Sequence, residues 1–118
     1  MKKILVTDDE KVMRSMLTDF LEEAGYEVSQ AEDGQIAWSL WQEGKYDLVI
    51  SDINMPNMNG IELLKNIKKT DENFPVIIIT GVSVESAHNS ANENNADALL
   101  IKPFKMKALV DEIKKVMD

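Results

Sequence analysis

An α/β fold built on a parallel sheet is predicted by three features of the sequence. Short apolar runs of strand length recur at residues 4–6, 48–50, 76–79 and 98–101. The runs at 48–50 and 76–79 are unbroken and rich in β-branched residues, the pattern of strands covered by helices on both faces. Between the runs lie stretches whose apolar residues step by three and four, as amphipathic helices require. Strands alternating with helices in this way imply parallel pairing with helices on both faces of the sheet.

The chain has 118 residues, enough for one domain with one core, and its 44% hydrophobic content is that of a globular protein. The reading is therefore a single domain over residues 1–118. No apolar run approaches the ~20 residues that span a bilayer. Lys2-Lys3 leads into an apolar run too short for a signal peptide, so a cytoplasmic location and no membrane partner are expected. The absence of cysteine excludes disulfides, thiolate zinc sites and thiol catalysis. A net charge of −8 disfavours direct contact with nucleic acid.

The first strand is read over residues 2–7 and ends in three acids, Asp8, Asp9 and Glu10. Val12, Met13, Met16, Leu17, Phe20, Leu21 and Ala24 mark one face of a first helix over 11–24, with Gly25 suited to its C-terminal cap. A second strand over 26–31 is followed by a turn at Asp33-Gly34 and a second helix over 36–41, closed by Gly44. The third strand, 46–52, ends in Asp52. Pro56 cannot continue a central strand, and Asn57, Asn59 and Gly60 are loop residues before a third helix over 60–69. The fourth strand, 74–80, admits Pro75 at its first position only. A fourth helix from about Val84 to about Asn94 is rich in weak helix formers and is expected to be the least stable. Asn95 follows where a residue of positive φ is wanted, which Asn tolerates. The fifth strand, 98–101, runs into Lys102-Pro103-Phe104, and Met106, Leu109, Val110, Ile113 and Met117 form the buried stripe of a fifth helix.

Five βα units of this kind commonly close as a flavodoxin-like doubly wound sheet of order 2-1-3-4-5, with ligands bound at the carboxyl ends of the strands. In that order Asp8 and Asp9 lie one strand from Asp52 on one side, and Thr80 one strand away on the other. Lys102 is two strands off, roughly 10 Å at ~4.8 Å per strand, a gap a long side chain helps to close. Two carboxylates ~5 Å apart repel by roughly 3 kcal/mol at an effective dielectric of about 20. Either one of them is protonated or a cation sits among them, and Lys102 offers one positive charge. A hard divalent ion such as Mg2+ takes oxygen ligands and often a phosphate. Cation, ammonium and hydroxyl together suit the oxygens of a phosphoryl group, and Asp52 is the natural nucleophile because an aspartate can form an acyl phosphate.

The runs Ile4-Leu-Val-Thr-Asp8-Asp9-Glu10, Asp52-Ile-Asn-Met-Pro56 with Gly60, Ile79-Thr80-Gly81 and Lys102-Pro103-Phe104 together resemble the receiver domain of two-component response regulators. Any one of these motifs is weak, and four in order and spacing are specific. The resemblance implies a phosphoacceptor switch rather than an enzyme acting on an external substrate. It implies that Asp52 accepts the phosphoryl group and that Asp8, Asp9 and Asp52, with the backbone carbonyl of Asn54, hold Mg2+. It implies that Thr80 and Lys102 engage the phosphoryl group and that the Lys102-Pro103 peptide is cis. The implied donor is a sensor histidine kinase or phosphotransfer protein. The implied output is altered affinity for a downstream protein or effector domain at the fourth helix, fifth strand and fifth helix. Three positions depart from the family pattern: Leu99 replaces an aromatic residue, Gly81 the commoner Ala, and Thr7 an apolar residue. Asn54 and Val82 occupy positions that help set phosphoryl lifetime in the family.

Rival readings remain at this level. A flavodoxin-like cofactor binder would share the topology, but three acids in the first loop would repel a flavin phosphate. An aspartyl phosphatase would carry a second acid two residues after its nucleophile, where Asn54 stands here. A docking pseudo-receiver would not need the full acidic set. Asp8 and Asp9 could instead cap the first helix. His88 reads as an ordinary surface residue, Trp38 and Trp41 as core or half-core packing, and Met13, Met55 and Met58 as candidates to line the loops near the site.

Overall fold

Strand and helix alternate five times in the computed structural model, which describes residues 2–81 and 85–117 and, in the fourth helix, side chains from residue 89 onward. The strands β1 (Lys3–Thr7), β2 (Glu27–Ala31), β3 (Leu48–Asp52), β4 (Val76–Thr80) and β5 (Ala98–Ile101) form one parallel sheet of order β2-β1-β3-β4-β5. The four crossovers are made by α1 (Lys11–Glu23), α2 (Gly34–Glu43), α3 (Gly60–Thr70) and α4 (Glu85–Glu93), and α5 (Met106–Met117) follows the last strand. This is the order the sequence implies. Val82, the expected helix start at Val84 and the side chain of His88 lie outside the described residues. Among the described residues no helix is long and apolar enough to cross a membrane.

Strand alternation sorts the core into two layers, one on each face of the sheet. Ile4, Val6, Leu48, Ile50, Ile77 and Ile79 point toward Leu17 and Leu21 of α1 and Leu109 and Ile113 of α5. Leu5, Val49, Val76 and Ile78 point toward Ala37 of α2, Leu63, Leu64 and Ile67 of α3 and Ala91 of α4. Every residue of β3 and β4 is buried, as their unbroken apolar runs imply. Trp38 and Trp41 stack at 5.6 Å as half-buried packing on the second layer. Helix ends follow their expected chemistry: Gly25 takes φ 100° just after α1, Asn95 takes φ 66° after α4, and Asn59 and Glu62 form a reciprocal capping box on α3.

Two expectations are corrected. Val12 and Met16 are 72% and 52% exposed, and α1 is buried through Leu17, Thr18 and Leu21. Each stands a roughly 100° step from a packed neighbour, Met13 or Leu17, on the flank of the apolar arc that the sheet leaves uncovered. Asp33-Gly34 is not a free turn either. Helix α2 begins at Gly34, two residues before the expected start, and Asp33 caps it by accepting from the Ile36 N–H.

Candidate functional site

Strand register brings the acids together. Thr7 of β1 is the register partner of Ser51 of β3, so the next residues, Asp8 and Asp52, emerge side by side at the carboxyl edge of the sheet. Asp8 is fully buried, Asp52 is 6% exposed and Asp9 is open to solvent. One carboxylate oxygen from each of the three lies within 4.8 Å of the others. One oxygen of each buried acid is held by a nearby backbone N–H: Glu10 donates to Oδ1 of Asp8 at 2.9 Å and Ile53 to Oδ1 of Asp52 at 2.7 Å. The guanidinium of Arg14 donates to the Asp8 carbonyl at 2.7 Å, fixing the first turn of α1 to the acidic loop. The N-cap of α1 is Glu10, which makes no side-chain cap, so neither Asp8 nor Asp9 occupies the capping position considered for them.

Lys102 follows β5, and its side chain closes the two-strand gap. Its ammonium donates to Oδ2 of Asp8 at 3.0 Å and to Oδ2 of Asp52 at 2.9 Å, with Glu10 at 3.9 Å. Burial draws the Lys102 pKa down, but the hydrogen bonds to Asp52 and Asp8 and their negative charges outweigh it and hold the group above its ordinary value. The Lys102 N–H also donates to the Thr80 carbonyl at 2.7 Å, and the Lys102-Pro103 peptide is cis. Thr80 ends β4 fully buried, one residue beyond Ile79, the register partner of Asp52.

The loop from Asp52 to α3 folds back on its origin. The Gly60 N–H donates to the Ile53 carbonyl at 2.8 Å. A Cβ at Gly60 would overlap the Asp52 carbonyl oxygen and stand 2.8 Å from its carbon, so this approach admits only glycine. The result is an open cleft of about 350 Å³ lined by Asp9, Glu10, Asp52, Asn54, Gly81 and Lys102. A wider cleft of about 570 Å³ between α3 and the end of α4 is lined by lysines, asparagines and two glutamates. It has no convergent carboxylates, so the smaller cleft is the better candidate for chemistry.

The expected site residues Asp8, Asp9, Asp52, Asn54 and Lys102 therefore gather at one cleft, with Thr80 at the adjoining strand end. Met13, on α1, packs against the core layer shared with α5, and Met58 packs against the layer beneath α2 and α3, so neither lines the acidic cleft as expected. Glu10 and Arg14 were not singled out from the sequence as site residues. The chain's single arginine, one helical turn beyond an acidic triplet, was the available signal.

Three clustered carboxylates, two of them paired with one ammonium, leave net negative charge in an all-oxygen donor set. Such a site can hold a hard cation. Residues 4–114 match the response regulator receiver domain family. Over 116 residues the chain is 37% identical to the chemotaxis protein CheY of Thermotoga maritima, covering 98% of this chain and 97% of that one. The response regulator TrrA of Thermotoga maritima, solved in complex with Mg2+-BeF, superposes with a TM-score of 0.90 at 38% identity, covering 98% and 99% of the two chains. A CheY-like receiver domain protein of Methanospirillum hungatei superposes at 0.96 with 29% identity over 100% and 94%. The chain belongs to the response regulator receiver domain family. It is a phosphoacceptor signalling switch of the two-component type, and its chemistry is its own phosphorylation and dephosphorylation.

Proposed function

We propose that residues 1–118 form one receiver unit in which Asp52 accepts the phosphoryl group. A carboxylate oxygen of Asp52 attacks the phosphorus of a phosphohistidine on a sensor histidine kinase or phosphotransfer protein. A P–O bond forms, the P–N bond breaks, and its electron pair leaves with the imidazole. A small acyl phosphate would react in the same way, with a carboxylate as leaving group. The observation that carries this reading is the convergence of Asp8, Asp9 and Asp52 at the end of the sheet, with Lys102 paired to Asp8 and Asp52.

Asp8, Asp9 and Asp52, with the backbone carbonyl of Asn54, would hold Mg2+. The donor set fits: all ligands are oxygen, each buried carboxylate oxygen retains lone pairs beyond those already bonded, and the open cleft leaves room for the waters this ion keeps. Bound there, Mg2+ would neutralise the carboxylates and the phosphoryl oxygens. The likeness to TrrA, solved with Mg2+-BeF, supports the same assignment. Lys102 pairs with the added charge, and the Thr80 hydroxyl turns toward it. Hydrolysis of the Asp52 acyl phosphate returns the switch to its resting state. The rearrangement biases α4, β5 and α5 between two arrangements, changing affinity for a downstream protein or effector domain. Leu99 makes this coupling independent of an aromatic rotamer. The domain works in the cytoplasm without contacting nucleic acid or membrane.

Intact mass after incubation with MgCl2 and acetyl phosphate tests the reading, wild type beside Asp52→Asn. One added phosphoryl group in the wild type alone supports it, and equal uptake by the variant refutes the acceptor assignment.

A further inference from the structure

The loop that leaves Asp52 contains a tight turn held from outside. The Met58 N–H donates to the Pro56 carbonyl at 2.8 Å, spanning one residue, Asn57, whose φ is 68°. A three-residue turn with positive φ at its centre is rare and strained. Such a conformation persists only where its surroundings over-determine it. Here the surroundings are the first turn of α2. The Asn57 amide donates to Oδ2 of Asp33 at 2.8 Å, while Oδ1 of the same carboxylate accepts from the Ile36 N–H at 2.8 Å. The Gly34 N–H donates to the Met58 carbonyl at 3.1 Å, and a Cβ at Gly34 would overlap that carbonyl. Asp33 is 6% exposed, so one buried carboxylate both caps α2 and grips the loop.

The loop's base is closed as well, by the Gly60 N–H on the Ile53 carbonyl. With base and apex both fixed, the residues between them follow one path, and Asn54 is among them at the edge of the acidic cleft. We infer that Asp33 and Asn57 are positioning residues for the phosphoacceptor site, latching the loop apex to α2 and so holding Asn54 at the cleft. This rests on the reading of Asp52 as phosphoacceptor. Neither residue touches the reacting groups, and both act through the loop.

Asn57→Gly removes the amide while favouring the same backbone conformation, so its effect reports the latch and not strain. The exchanged pair Asp33→Asn with Asn57→Asp rebuilds the bond with donor and acceptor reversed, and an asparagine still caps α2. Three quantities are measured: amide hydrogen exchange without metal, Mg2+ affinity by calorimetric titration with MgCl2, and phosphoryl uptake from acetyl phosphate. In Asn57→Gly the Gly34 and Met58 amides should exchange about tenfold faster and Mg2+ should bind about fivefold to tenfold more weakly, the scale of one lost hydrogen bond. The exchanged pair should recover most of both. Wild-type Mg2+ affinity in Asn57→Gly overturns the inference, as does a weakened affinity that a folded exchanged pair fails to recover. If the exchanged pair does not fold, the single variant decides alone. A wild type that takes up no phosphoryl group refutes the phosphoacceptor reading instead, and exchange and Mg2+ affinity still judge the latch.

Discussion

The ammonium of Lys102 stands 2.9 Å from Oδ2 of Asp52, although β4 separates the strands that carry them. The same ammonium is 3.0 Å from Oδ2 of Asp8, which is fully buried. Lys102 is thus the internal counter-ion of a carboxylate pair that water barely reaches. Breaking a buried pair by removing one partner typically costs about 3–5 kcal/mol, because the remaining charge is left uncompensated. The Lys102 side chain keeps 16% exposure, which places this site toward the lower end.

Lys102→Met is therefore expected to lower the unfolding free energy by about 3 kcal/mol in metal-free buffer. A divalent cation supplies the missing charge at the same oxygens, so millimolar MgCl2 should recover most of the loss. Urea unfolding of both proteins in EDTA and in MgCl2 measures this. Equal losses in the two buffers would show that ammonium and divalent cation do not substitute for one another there.

The same contacts set a pH dependence at the alkaline end. Burial lowers the Lys102 pKa, but hydrogen bonds to Asp52 and Asp8 and their charge leave it raised. A group raised on folding contributes stability that is complete below its unfolded pKa, about 10.4 for lysine, and is lost as pH climbs through the folded value. The stability difference between wild type and Lys102→Met should hold steady from about pH 8 to about pH 9.5 and shrink above about pH 10.5. Using the difference removes the background of the other lysines. A difference that shrank between about pH 7 and pH 9 would contradict the raised pKa.

What the sequence makes legible here has physical reasons. The order of the strands and the gathering of Asp8, Asp52 and Lys102 follow from apolar runs and their terminal polar residues, because strand spacing turns chain order into distance. Exposure of Val12 and Met16 was not legible: periodicity records which residues share an arc, not how much of that arc a neighbour covers. Asp33 before Gly34 reads equally well as a turn or as a helix cap, and its partner Asn57 is 24 positions away, beyond any local pattern. Gly60 belongs to the motif that carries the resemblance, but its neighbours alone read it as one more loop residue among asparagines. Only the folded chain reveals the Asp52 carbonyl pressed against its α-carbon.

Gly60 should for that reason be intolerant of even a methyl group. A Cβ there must displace backbone, and the atoms displaced belong to Asp52 and Ile53. Overpacking against well-packed atoms costs typically about 1–3 kcal/mol, and immobile backbone favours the upper part of that range. Gly60→Ala is expected to lose about 2 kcal/mol or more and to take up phosphoryl groups more slowly at saturating Mg2+, because the acceptor carboxylate shifts with its backbone. Urea unfolding and timed intact mass with acetyl phosphate check the two effects. Loss of stability with unchanged uptake would show that the loop yields on the α3 side instead.

Gly81, the other glycine at the cleft, predicts the opposite. Among the described residues a Cβ there would meet nothing within 4 Å, and its φ lies outside the left-handed region. Nothing in the native backbone then requires glycine, so its main effect is on the unfolded chain, where it leaves more conformations to be lost on folding. Replacing glycine by alanine at a compatible position stabilises by about 0.4–1 kcal/mol through that entropy. Gly81→Ala should therefore unfold at slightly higher urea, by about 0.5 kcal/mol, with the same m-value and the same extent of phosphoryl uptake. A destabilised Gly81→Ala would mean that Gly81 spends much of its time in a conformation only glycine adopts.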